Sequence, residues 1–246
     1  MTETPAGNTE VQQQQMLAKI LETAKSVILK PTEFFRSMAK TGGFGDPLVF
    51  MVVVGLVAAV VQLALGLLHL IPFFSLRMAL GMFIGYPIAA LIGGFIFAAI
   101  MFVIWKLMGS QESYEASYRC VAYAGAISPI SMLFHPIPYV GGLVGLAWGL
   151  LLIVIASVEV HKIKAKTAWL VFGIITALLA LGSLSAQRKA RQFSGRMSEF
   201  QKEFGGKSDK EMTPEDAGRA AAAFMKAMQE SAAKKAEKDA KKDDDK

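Results

Sequence analysis

Only one cysteine, Cys120, occurs in the chain, so a secreted scaffold held by disulfides is excluded. Charge is scarce where a soluble domain would carry it. Lys and Arg number 26 and Asp and Glu 20, yet residues 47–185 hold only nine of them. Charged residues make up 19% of the chain and hydrophobic ones 53%, against about 25% charged in an average soluble protein. Long uncharged stretches of this kind argue against a soluble enzyme of 246 residues. A concentrated basic stripe is missing too. The net charge of +6 divides into about 0 for residues 1–46, +3 for 47–185 and +3 for 186–246. That is too mild and too scattered for a nucleic-acid footprint.

Catalytic constellations are also lacking. The sequence has no Gly-rich phosphate loop with a lysine, no His-Glu-x-x-His, no paired Cys and no nucleophile elbow. Ser128 and Ser131 flank Pro129 without a histidine and an acid converging on them by spacing. The expectation is a protein without enzymatic activity and without a cofactor. Residues 1–46 lack the apolar run and small-residue cleavage site of a signal peptide, so the first spanning helix is expected to direct insertion.

What remains is a membrane core with two polar ends: 1–46, 47–185 and 186–246. About 20 apolar residues in a helix cross the hydrocarbon, because backbone amides must be satisfied internally there. Leu48–Leu68, Met78–Trp105, Val140–Val158 and Thr167–Ser185 are uncharged and meet that length. Met78–Trp105 is longer than needed, which predicts tilt or a kink at Tyr86-Pro87. Tyr114–Phe134 is the fifth candidate, although it carries Glu115, Arg119 and Pro129. The fold class expected is therefore all-α, a polytopic bundle of five spans, with four as the alternative if this segment is re-entrant.

Positive charge orients the bundle. With the N-terminus inside, the inner side holds Lys19, Lys25, Lys30, Arg36 and Lys40, then Lys106 and Arg119, then Lys162, Lys164 and Lys166. Five spans then place Arg188, Lys189, Arg191 and Arg196 outside; four would place the three-lysine loop there instead. Residues 11–30 read as an amphipathic helix, with Leu17, Leu21, Ala24 and Ile28 at helical spacing and Met16, Ile20 and Val27 widening the stripe. Lys30-Pro31 ends it, and Gly42-Gly43 ends the short segment carrying Phe34, Phe35 and Met38. In the tail, Phe193, Met197, Phe200 and Phe204 form a comparable stripe before Gly205-Gly206. Thr213-Pro214 resembles a further helix start, and Lys234–Lys246 reads as disordered.

Small residues mark packing faces. Gly141, Gly145 and Gly149 are spaced by four, as are Gly81 and Gly85, which lets helix backbones approach within the chain or between copies. Gln62 is the strongly polar residue deep in a span, with an interhelical hydrogen bond as its default. Glu159, beside His161 and three lysines, reads as half of an interfacial ion pair with a lysine; Arg119 reads the same way. Two loops share an apolar–His–x–Ile–Pro–aromatic pattern, at His69 and His135. Headgroup-level turns explain it, and a metal between the two histidines is the sharper alternative.

Pro31-Thr32-Glu33-Phe34-Phe35, Gly45-Asp46-Pro47 and the run from Tyr114 to Lys166 carry a resemblance to the Yip family of membrane proteins, named for interaction with Ypt/Rab GTPases. Within that run, Tyr123, Ala124 and Pro129 match the pattern of the family's third span, followed by Ile137-Pro138, Gly141, Gly142 and Trp148. The resemblance covers roughly residues 30–185 and looks closest to bacterial members. It implies five spans, a cytoplasmic N-terminus and no catalysis, in a bacterial inner membrane where Rab partners are not expected. The function expected is an adaptor or organiser in membrane trafficking or membrane organisation, with a transporter or channel as the alternative. Expected partners are membrane lipids, a protein met through the N-terminal helix or tail, and a second copy through the glycine-rich spans.

Overall fold

The structure, a computed structural model, describes residues 5–70, 76–137 and 139–204. Side chains are described between residues 11 and 189 within those ranges, except at 76–80, 82–84, 86, 87 and 90. The chain divides into two compact units, Met1–Leu184 and Ser185–Lys246. The helix start at Thr213, the run to Lys246 and the side chains of the Phe193–Phe204 stripe lie outside what is described.

Every described element is helical. α1 is Pro5–Leu29 and α2 is Pro31–Ser37. Lys30 breaks the run, because Pro31 has no amide to continue the ladder but suits the first turn of a new helix. α3 is Gly45–Leu67, α4 is Leu76–Leu107 and α5 is Tyr114–Ala124. Gly109, at φ +95°, closes α4. Its amide bonds to the Lys106 carbonyl at 3.0 Å and the Ser110 amide reaches back to Trp105 at 2.9 Å, the pattern of a left-handed helix cap. The Ser113 hydroxyl then caps α5 by accepting from the Ala116 amide at 3.2 Å.

The fifth candidate span is not one helix. After α5 comes a 3-10 turn, Gly125–Ile127, and then α6, Ser128–Leu133. Pro129 sits in the first turn of α6; lacking an amide, it cannot extend the α5 ladder. α7 is Val140–Glu159 and α8 is Ala165–Phe204. α4 continues as helix through Pro87.

Among the described residues, three helices are long and apolar enough to cross a membrane: α3, α7 and the Ala165–Lys189 part of α8. Leu91–Leu107 of α4 forms a shorter apolar helix. Their outward residues, among them Ile96, Ile100, Ile174 and Leu178, are exposed apolar side chains, as lipid contact requires. The least apolar of the candidates lies at the centre. Every residue of α5 from Ala116 to Tyr123 is buried, including Arg119 at 5% exposure. A helix surrounded by protein can pair its charged groups there and needs no apolar coat.

Candidate functional site

The polar groups of the fold gather at one end of the bundle, where α3 begins and α7 ends. The arm formed by α1 and α2 is fastened there. Val27 of α1 and Phe35 of α2 are essentially fully buried, and Ile20, Ala24 and Ile28 pack against the core. Phe34 meets Phe35 and Tyr123 edge-on at 5.4 and 5.2 Å. Leu17 and Leu21, by contrast, stay 55% and 57% exposed. Ile28 shares the edge of Leu17 and Leu21 at 100° per residue yet packs on the core, so the apolar edge is covered at its C-terminal part and open at its N-terminal part.

Three polar contacts fix the end of the arm. The Arg36 guanidinium forks onto both oxygens of Glu159 at 2.9 and 3.0 Å, a bidentate geometry that a lysine cannot make. This corrects the lysine expected as the partner of Glu159; Lys162 instead donates to the Glu159 backbone carbonyl at 2.7 Å. Lys40 pairs with Glu112 at 2.6 Å. Arg119 and Glu115, one turn apart on α5, grip the Gly43 residue from both sides. Glu115 accepts from its amide at 2.6 Å and Arg119 donates to its carbonyl at 2.7 Å. Gly42, at φ +118°, makes room for this: a Cβ there would lie 3.1 Å from the Arg119 guanidinium.

Behind these contacts sits a buried aromatic and polar knot. The His161 ring stacks on Trp105 with centroids 3.9 Å apart. Its Nδ1 shares a 2.8 Å hydrogen bond with Ser110 Oγ, and its Nε2 lies 3.9 Å from Cys120 Sγ. Trp105 Nε1 donates to Ser157 Oγ at 2.8 Å, and that hydroxyl donates to the Ile153 carbonyl at 2.6 Å. Burial drives the His161 pKa down to about 3, helped by the positive charges of Lys40 and Lys106. The ring is held neutral and works as a strut. Ser110 and Cys120 are buried beside it, at 2% and 0% exposure.

Arg119 and Glu159 are thus brought to the same end of the bundle. His69 and His135 are not part of that cluster: both are exposed, His69 just past α3 and His135 just past α6. His69 takes φ +56°, and the amides of His69 and Leu70 bond back to Gly66 and Leu65 at 2.9 and 3.0 Å. It occupies the cap position that glycine usually fills. Among the described residues no group of three or more His, Cys, Asp or Glu is placed to hold a metal. Gln62 is half-buried in α3. Of the glycines, Gly141 is in close approach: a Cβ there would fall 2.6 Å from the Phe134 carbonyl oxygen. At Gly145 it would lie 3.2 Å from Ser131 Oγ, and at Gly81, Gly85 and Gly149 it would meet nothing within 4 Å.

Ser110, Trp105, Cys120 and Ser157 carry no sequence signal for this role. A hint lay in His161, placed just past a span where a soluble loop would leave it exposed.

An all-helical, multi-pass integral membrane protein with a protein-lined polar clamp at one end is the class these features define. Residues 25–186 match the Yip1 domain, which covers more than half of the chain, and the protein belongs to that family. No curated protein and no solved structure matches it. The family is non-catalytic and linked to membrane trafficking.

Proposed function

We propose that the protein is a membrane adaptor or organiser in which the transmembrane bundle holds the α1–α2 arm rigidly and the arm engages lipid headgroups or a partner helix. The observation carrying this reading is that the apolar face of α1 is only partly covered by the bundle. Ile20, Ala24 and Val27 are committed to the bundle, while Leu17 and Leu21 stand uncovered beside them. The N-terminus and the clamp face the cytoplasm in this reading, as the concentration of Lys and Arg at that end favours, and the membrane is a bacterial inner membrane.

Transport is the weaker reading. Arg119 and Glu159 are engaged by Gly43 and Arg36, so neither is available as a pathway residue. Affinity purification of the full chain from native membranes in mild detergent, with mass spectrometry of retained proteins, tests the adaptor role. A partner lost on replacing Leu17 and Leu21 by Ser supports it. A partnerless protein whose α1 is also indifferent to lipid would sink it.

A further inference from the structure

Between α4, the broken α5–α6 segment, α7 and α8 lies a cavity of about 330 Å³. Buried Met101 and Phe172, Gly125 and Gly149, and the exposed Phe97 and Leu179 are among the residues that line it. We propose that this cavity is a binding site for one acyl chain of a membrane phospholipid, which acts as the packing between α8 and the rest of the bundle.

The chemistry of the lining selects the occupant. The side chains facing the cavity are apolar apart from the hydroxyls of Ser128 and Thr176, so water or a polar ligand would find too few partners. An apolar cavity of about 150 Å³ holds one benzene, which gives this one room for roughly a dozen carbon atoms. The space is elongated: its α7 wall runs from Gly145 to Ile153, about 12 Å along the helix axis. Phe97 and Leu179 are 45% and 55% exposed. The cavity is therefore continuous with the lipid-facing surface of α4 and α8, and the hydrocarbon around the protein is what can enter it.

The seating of α8 gives the chain a task. Among its described residues only Ala168 and Phe172 are buried, and Phe172 meets Trp105 edge-on at 6.2 Å. A cavity left empty beside so slight a contact would deprive its walls of dispersion partners. Gly149 serves the space, since a Cβ there would meet nothing within 4 Å. Its missing side chain makes volume rather than a helix contact.

That open position supplies the test. The full chain is extracted in mild detergent and its retained lipid measured by native mass spectrometry. Wild type is expected to hold one phospholipid per chain, and Gly149→Phe to lower that occupancy at least fivefold. Leu178→Phe, on the exposed face of α8, leaves it unchanged. Adding phospholipid to delipidated protein raises the melting temperature of wild type but not of Gly149→Phe. Gly125→Leu, which also has an open Cβ position, repeats the comparison if the first variant fails to fold. Wild type that retains no lipid, retention unaltered by filling the cavity, or a partner protein's helix found in its place each overturns the proposal.

Discussion

His161 shows what a single residue contributes to holding the arm. In the unfolded chain its imidazole titrates at its usual 6.5, and in the fold burial pushes it down to about 3. Below pH 6.5 the unfolded chain takes up a proton that the folded ring refuses. The stability this group supports is therefore complete above about pH 6.5 and is lost as pH falls toward 3, with a slope approaching about 1.4 kcal/mol per pH unit. Denaturation of the detergent-solubilised protein between pH 7.5 and 5 should show that extra slope in wild type and not in His161→Gln. Equal slopes would mean that the ring is open to solvent. The sequence placed His161 beside Glu159 at the end of a span but could not name its partners. Trp105, Ser110 and Cys120 reach it across 41 to 56 positions, and Arg36 reaches Glu159 across 123. Such pairings depend on how the helices are stacked, and no local pattern encodes them.

Spans were legible from the length of uncharged apolar runs, because lipid and protein core both accept apolar side chains, and the limits of α3 and α7 fall within three residues of the expected spans. Less legible was which apolar residues of an amphipathic helix the bundle covers. α1 illustrates the difference. Its apolar residues occupy a wide arc, and composition cannot tell which part of the arc is packed. The structure divides it, with Val27 at 0% exposure and Leu17 at 55%. Val27→Ala should cost about 2 kcal/mol through lost burial and a small cavity, and should speed hydrogen exchange along α1. Leu17→Ala should change stability by no more than about 0.5 kcal/mol. Comparable losses from both would place Leu17 in the core and remove the uncovered edge on which the adaptor reading rests. α5 repeats the lesson in reverse. Its glutamate and arginine made it the weakest span by composition, yet protein surrounds it and supplies Gly43 as the partner of both.

For the whole molecule, the open question left by charge is the number of crossings, and the positions of α5 and α7 bear on it. α5 starts at the clamp, where Glu115 holds Gly43. α7 ends at the same place, where Glu159 holds Arg36. Since α7 is 20 residues long, its start lies about 30 Å away, the thickness of the hydrocarbon. Gly141, at that start, is packed on the backbone of Phe134 and His135, which directly follow α6. The broken segment from Tyr114 to Leu133 thus runs from the clamp end to the opposite end instead of turning back. With α3, α4, α7 and α8 each counted as one crossing, we predict an odd total, with Ser185 on the side opposite the α1–α2 arm. A reporter fused after Ser185 should then read the side opposite to one fused at the N-terminus. Both reporters on the same side would require another segment to turn back, and would bring Arg188 and Lys189 to the side where positive charge is favoured. The predicted odd count leaves those two cations on the side the charge rule disfavours, and it rests on the packed backbone that carries α5 and α6 from the clamp to the start of α7.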